Sequence, residues 1–150
     1  MAGLDALDTL YVVTALLFHS LLVIHFALRR WRFELAVRLG WIFYALSLPA
    51  AGVSLVLLSG GRAWGLWLGG FLFLVWATFG FIVEYIRQIE WRAPIRWPIF
   101  GPYVTLYLAT AMFYWWPVAL VSRPLWFVCG ALFLIASVLN VSSHRGPQAQ

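Results

Sequence analysis

The chain has 150 residues, of which 64% are hydrophobic and 10% charged, and its formal net charge is +5. A soluble domain carries about 25% charged residues, so this composition excludes an ordinary water-soluble globular protein. The basic residues do not alternate with aromatic residues on a polar face, which excludes nucleic acid as a partner.

Five apolar runs are each long enough, or nearly so, to cross a lipid bilayer. A hydrocarbon core about 30 Å thick requires ~20 helical residues. Backbone polar groups in lipid must be satisfied within the segment, so we predict helices and not strands. In chain order, the predicted spans cover residues 10–28, 39–58, 64–86, 99–120 and 124–141. The sequence therefore predicts an all-α fold: a single transmembrane domain over residues 1–150, built as an antiparallel bundle of five helices.

The arginines predict an orientation for this bundle. Eight of the ten basic residues follow spans one, three and five: Arg29, Arg30, Arg32, Arg38, Arg87, Arg92, Arg96 and Arg145. The opposite side carries only Arg62 and Arg123. Because positive loops stay in the cytoplasm, we expect the N-terminus outside and the C-terminus in the cytoplasm of a cell, with a prokaryotic inner membrane as the location.

The first span carries two histidines, His19 and His25, in an otherwise almost pure hydrocarbon run. Their separation of six residues places them about 9 Å apart along the axis and about 120° apart around it, so they cannot share one metal ion. His19 is deeper. It either hydrogen-bonds a neighbouring helix or binds a ligand, as an axial ligand of a tetrapyrrole metal or as a hydrogen-bond partner of a quinone.

The polar residues of the spans fall into two layers of depth. The midplane layer supplies the predicted ligand-binding residues, which are His19, Ser47, Trp76, Thr78, Tyr107 and Thr110. The cytoplasmic layer contains His25, Tyr44, Glu84, Tyr103 and Asn140. The alternative for both layers is interhelical hydrogen bonding, worth about 0.6–2 kcal/mol for each bond.

His25 and Glu84 lie at matching depths in two spans that run in the same direction, so they could form a proton-titrating pair. An interfacial pair of Glu84 with Arg87, three residues further on, is the simpler alternative for the carboxylate. For His25 the simpler alternative is a half-solvated interfacial hydrogen bond.

Spans two to four carry packing signals. Pro49 predicts a kink in span two. The small residues Ala50–Gly52, Gly65, Gly69 and Gly70 predict close approach of helices. In span four, Tyr103, Tyr107, Thr110 and Tyr114 recur along one helix face, which we expect to point inward because each hydroxyl needs a partner.

The tryptophans, the single cysteine and the absence of catalytic motifs limit the functions that the sequence allows. Nine of the ten tryptophans fall near span ends, as in the aromatic belt of membrane proteins, and only Trp76 lies near the midplane. Cys129 is the only cysteine, and no intramembrane carboxylate pair, HExxH, GxSxG or phosphate-binding glycine loop occurs. Enzymatic activity is therefore not favoured, although it is not excluded.

The sequence favours a non-catalytic, polytopic protein of the lipid bilayer. It would act as an accessory subunit of a membrane complex, or bind a flat apolar ligand (pigment, haem or quinone). One alternative is a small oligomeric transporter or channel that uses His25 and Glu84, and a second is a membrane-embedded lipid-modifying enzyme. Other membrane subunits, or further copies of the chain, are the expected partners.

Overall fold

The computed structural model describes residues 4–91 and 94–143, and within them regular structure is helical. The helices are α1 (Ala6–Trp31), α2 (Phe33–Ala45), α3 (Ser47–Ser59), α4 (Trp64–Phe81), α5 (Trp97–Trp115), α6 (Val118–Val121) and α7 (Arg123–Ser143), with a π-helix at Ile82–Ile86 continuing α4. Arg92 and Arg145, used in the orientation argument, lie outside the described residues.

Five helical stretches of the described chain are long and apolar enough to cross a membrane: Ala6–Trp31, Phe33–Ser59, Trp64–Ile86, Trp97–Val121 and Arg123–Ser143. Their outer faces are apolar as well, since Leu17, Phe127 and Val138 are each more than half exposed. Surfaces of this kind are stable in lipid and costly in water. The predictions of an all-α chain and of five helices able to span a bilayer are confirmed.

The start of α1 is fixed by a side-chain cap. Asp5 has extended backbone angles, and its carboxylate accepts a hydrogen bond of 2.9 Å from the backbone N–H of Asp8. Such a cap satisfies one of the amide groups that a helix leaves unpaired at its start, and both carboxylates lie at the positive end of the helix dipole. The helix consequently begins at Ala6, before the apolar run itself.

The second span is interrupted where Pro49 predicts a kink. α2 ends at Ala45 and α3 begins at Ser47, so the regular helix breaks at Leu46. Proline has no N–H to donate to the carbonyl four residues earlier, which here belongs to Ala45. The Ser47 hydroxyl donates a 2.7 Å hydrogen bond to the Tyr44 carbonyl, which supports the chain at the break.

The chain forms two compact units. Unit 1 comprises Met1–Phe43 and Tyr114–Gln150, and unit 2 comprises Tyr44–Phe113. In unit 1, α1 packs along α7, and the two helices run in the same direction. Near their C-terminal ends, the Arg30 guanidinium donates a 2.9 Å hydrogen bond to the Ser142 carbonyl.

In unit 2, α3 packs closely on α4 through small residues. A Cβ atom added at Gly70 would collide with the Ser54 hydroxyl and the Ala50 carbonyl, and one added at Gly69 would lie 3.2 Å from the Phe113 carbonyl oxygen. The predicted close approach is confirmed at these positions. Gly52 is different, because nothing lies within 4 Å of the Cβ it lacks.

Candidate functional site

His19 is fully buried in unit 1, on the face of α1 that lies among aromatic rings. Its ring meets the Phe18 ring edge-on with centroids 5.4 Å apart, and the Phe133 ring at 6.4 Å. Nδ1 lies 2.9 Å from the Ala15 carbonyl oxygen, one helical turn back. The other ring nitrogen, Nε2, is buried and has no hydrogen-bond partner among the described residues.

These contacts assign the tautomer of a neutral His19. A carbonyl oxygen only accepts hydrogen bonds, so Nδ1 must carry the proton and Nε2 must carry the lone pair. A metal centre or an incoming O–H or N–H group can use this lone pair. The carbonyl oxygen of an oxidised quinone cannot, because it also only accepts. The structure thus distinguishes between two ligand types that the sequence left equivalent.

Tyr114 is a second buried polar group of unit 1 whose hydroxyl has no partner in the described part of the chain. It is 2% exposed, and its ring stacks on Phe18 with centroids 4.7 Å apart. Tyr114 and His19 therefore both contact the Phe18 ring. The helical spacing placed Tyr114 on the inward face of its span, and its burial agrees, but it was not among the predicted ligand-binding residues.

The remaining midplane residues belong to unit 2. The Ser47 hydroxyl donates to the Tyr44 carbonyl, and the Thr110 hydroxyl donates a 2.8 Å bond to the Leu106 carbonyl four residues earlier. Both hydroxyls are thus satisfied within the chain without a ligand. Thr78 is exposed on the surface. For these three residues the structure offers no feature that favours ligand binding.

Trp76 and Tyr107, the last two residues of the midplane layer, come together in unit 2. Both are buried, and their ring centroids lie 5.4 Å apart. Trp76 also packs against Tyr103 at 5.6 Å and edge-on against Tyr44 at 6.4 Å. These rings connect the midplane layer to the second layer of polar residues.

Three residues of that second layer form a hydrogen-bonded cluster. The Tyr44 hydroxyl, at the end of α2, donates a 2.8 Å hydrogen bond to the Glu84 carboxylate, which lies on the π-helix. The Tyr44 oxygen also lies 3.3 Å from the Tyr103 hydroxyl oxygen on α5. We call these three residues the Glu84 cluster. Short π-helices occur frequently at functional sites, because the extra residue in the turn re-aims side chains.

Gly80 positions the central tyrosine of the cluster. A Cβ at this residue would lie 2.9 Å from both Cε1 and the hydroxyl oxygen of Tyr44. The absence of a side chain at Gly80 therefore lets the Tyr44 ring lie directly against α4, one turn before Glu84. The sequence signal for this contact is a glycine four residues before a carboxylate within an apolar span, and the depth layers predicted above do not include it.

The second residue of the predicted titrating pair lies in unit 1. His25 packs against Phe26 and Phe43, with ring centroids 5.4 Å apart in each case. Glu84 belongs to unit 2. The pairing of His25 with Glu84 thus stays a prediction.

Among residues 4–91 and 94–143, no three His, Cys, Asp or Glu side chains are grouped so that they could hold a metal ion. The metal of a tetrapyrrole needs fewer protein ligands, since the macrocycle supplies four nitrogens and one axial histidine suffices.

Comparison of the chain with protein-family models, with curated proteins and with solved structures gives no match.

Proposed function

We propose that this chain is a non-catalytic, multi-pass membrane protein that holds a metal-centred tetrapyrrole through Nε2 of His19. It would act alone, as a homo-oligomer or as an accessory subunit of a larger membrane complex. The observation that carries the proposal is the buried Nε2 without a partner, on a ring whose Nδ1 is bonded to the Ala15 carbonyl. Histidines that bind metals are oriented in this way by a hydrogen bond from their other nitrogen.

The free-energy cost of leaving buried polar groups without hydrogen-bond partners supports the same proposal. A buried polar group without a partner destabilises a protein by about 1–3 kcal/mol. Unit 1 contains two such groups close to one phenylalanine, the imidazole of His19 and the hydroxyl of Tyr114. A ligand with a metal centre and a polar edge would satisfy both groups at once. Phe18 and Phe133 would supply the apolar surface that a flat macrocycle requires.

The test is a titration of the purified protein in detergent with haem, followed through the haem absorption band. We expect His19→Leu to weaken binding at least 100-fold, because the axial bond is lost. His25→Leu is the matched control, since it removes an imidazole from the same helix, and we expect it to change affinity less than threefold. Equal binding by wild type and His19→Leu would overturn the proposal, as would a wild-type protein that binds no tetrapyrrole.

A second candidate function is a small oligomeric transporter or channel in which Glu84 exchanges a proton, with His25 as its partner. The bond from Tyr44 to a carboxylate on a π-helix within a membrane span supports this candidate. Ionisable groups in such spans commonly mark ion pathways. Proton flux into liposomes tests it, and flux that persists unchanged in Glu84→Gln would remove its basis.

We further propose that the N-terminus lies outside and the C-terminus in the cytoplasm of a prokaryotic inner membrane, from the bias of the arginines. Single cysteines introduced in a Cys129→Ala background test the orientation. An impermeant thiol reagent added to intact cells should label Ser59→Cys, at the end of α3, and spare Glu90→Cys, after the π-helix. The reverse labelling pattern would refute it.

A further inference from the structure

The Glu84 carboxylate lies within a group of aromatic rings in unit 2. Tyr44, which donates to it, packs edge-on against Trp76 at 6.4 Å, Phe81 at 6.5 Å and Tyr85 at 6.0 Å. The set continues through Tyr103, whose ring centroid lies 5.6 Å from that of Trp76 and 4.8 Å from that of Trp91. These rings form one continuous aromatic group, and the Tyr44 hydroxyl joins it to the Glu84 carboxylate.

This aromatic group is open on one side. Glu84, Tyr44, Tyr85 and Tyr103 are only half-buried, and Phe81 is 40% exposed. Glu84 also lies in the last turn of the third span, immediately before the charged segment that begins at Arg87. The site is thus reachable from the boundary between hydrocarbon and water, where lipid headgroups lie and water-soluble amines arrive.

The chemistry of this surface suits one class of ligand. Aromatic faces attract cations through the ring quadrupole, by about 0.5–2 kcal/mol for each contact within ~6 Å. A carboxylate adds a full negative charge and repels phosphates and other anions. A bare Mg²⁺ or Ca²⁺ ion needs several oxygen ligands and gains little from rings. An organic ammonium group uses both features, because its alkyl groups contact the rings while its charge faces the carboxylate.

We propose that the Glu84 cluster and its surrounding rings bind an organic ammonium group, presented either by a lipid headgroup or by a free amine. This site is separate from the tetrapyrrole site proposed at His19. The carboxylate provides the charge, and the Tyr44 hydroxyl holds it in position. The half-buried rings of Tyr44, Tyr85 and Tyr103 provide the ring surface, and the buried rings of Trp76 and Trp91 pack behind Tyr103.

Choline and its uncharged isostere 3,3-dimethyl-1-butanol test this proposal by calorimetric titration of the detergent-solubilised protein. The two probes share shape and differ in charge, so we expect choline to bind at least tenfold more tightly. Glu84→Gln should weaken choline binding at least tenfold, whereas Glu90→Gln, an exposed glutamate beyond the span, should leave it unchanged. Equal affinity for the two probes, or full choline binding by Glu84→Gln, would overturn the proposal.

A second pair of variants tests whether the aromatic rings contribute to choline binding. It keeps the proposal testable if the Glu84→Gln protein does not fold. Trp91→Leu removes a buried ring of the site, and Trp97→Leu removes a ring that is 69% exposed. We expect at least a fivefold loss of choline affinity for the first variant only, and equal affinities would contradict the role of the rings. His19→Leu should leave choline binding intact, so the ammonium site can fail or succeed independently of the tetrapyrrole site.

The source of the ammonium group follows from the same titration in lipid nanodiscs. Phosphatidylethanolamine headgroups carry an ammonium group, and phosphatidylglycerol headgroups do not. If a lipid occupies the site, choline will bind more weakly in phosphatidylethanolamine than in phosphatidylglycerol. Equal affinities in the two lipids, with Glu84→Gln still defective, identify a free amine as the ligand. Loss of the Glu84 dependence in both lipids would overturn the site itself.

Discussion

Two glycines of the packed helices α3 and α4, Gly52 and Gly70, should respond to alanine in opposite ways. At Gly70, an added Cβ would lie 2.5 Å from the Ala50 carbonyl oxygen and would also meet the Ser54 hydroxyl. The hydroxyl can rotate away, but the carbonyl belongs to the backbone of α3. At Gly52, nothing lies within 4 Å of the added atom.

The size of the effect follows from these distances. Ordinary van der Waals contact begins at 3.4 Å, so Gly70→Ala requires α3 and α4 to separate locally by roughly 0.9 Å. Overpacking of this kind costs about 1–3 kcal/mol. Alanine also gains up to about 1 kcal/mol of helix propensity over glycine at either site. We therefore expect Gly70→Ala to destabilise by roughly 1–2 kcal/mol and Gly52→Ala to be neutral or stabilising.

The measurement is the free energy of unfolding in detergent micelles, from denaturant titrations followed by far-ultraviolet circular dichroism. Because helix propensity contributes to both variants, the difference between them isolates the packing cost. That difference should be about 2 kcal/mol, which is close to a 30-fold change in the unfolding equilibrium. If the two variants unfold within about 0.5 kcal/mol of each other, the close contact between α3 and α4 is not present in the protein.

Three further predictions test the two candidate sites and their surroundings. His19→Phe removes the buried Nε2 without a partner together with the Nδ1 bond to the Ala15 carbonyl. Relief of about 1–3 kcal/mol at Nε2 offsets the roughly 0.5–1.5 kcal/mol of the lost bond, so the ligand-free variant should be at least as stable as wild type, and a loss of stability larger than about 1.5 kcal/mol would show that Nε2 does have a partner. Tyr44→Phe removes the donor and Glu84→Leu removes the acceptor of one hydrogen bond, so a double-mutant cycle should give a coupling energy of roughly 1.5–3 kcal/mol, whereas additive effects would contradict the bond. Gly130→Ala places a Cβ 3.0 Å from the Trp115 ring, so we expect a shift in tryptophan emission and a stability loss of about 1–2 kcal/mol; an unchanged spectrum would mean that the ring is not held there.

The sequence predicted the number of spans and their order because hydrocarbon thickness sets the length of an apolar run. It placed the ends less well. Span one was predicted over residues 10–28, whereas α1 covers Ala6–Trp31. The excess has a physical cause, since the Asp5 cap and the arginines of the last turn extend a helix through the interface, beyond the hydrocarbon that the prediction counted.

The candidate sites were predicted less completely. Depth alone grouped Tyr44, Glu84 and Tyr103, and the structure joins them by hydrogen bonds. Depth could not show that the chain forms a π-helix at Ile82–Ile86, since that depends on packing and not on composition. It also gave no rotation about the helix axis, which is why Thr78, predicted as a ligand-binding residue, lies on the exposed side.

The parallel packing of α1 on α7 has a consequence for how the protein is made. α1 leaves the ribosome roughly ninety residues before α7 begins, which at 5–20 residues per second is a wait of about 5–18 s. During that time the face of α1 that carries His19 has no final neighbour, and Phe133 does not yet exist as a chain segment. Unit 1 can therefore assemble only after α7 has been synthesised, and until then an insertase or the lipid itself has to shelter the imidazole of His19.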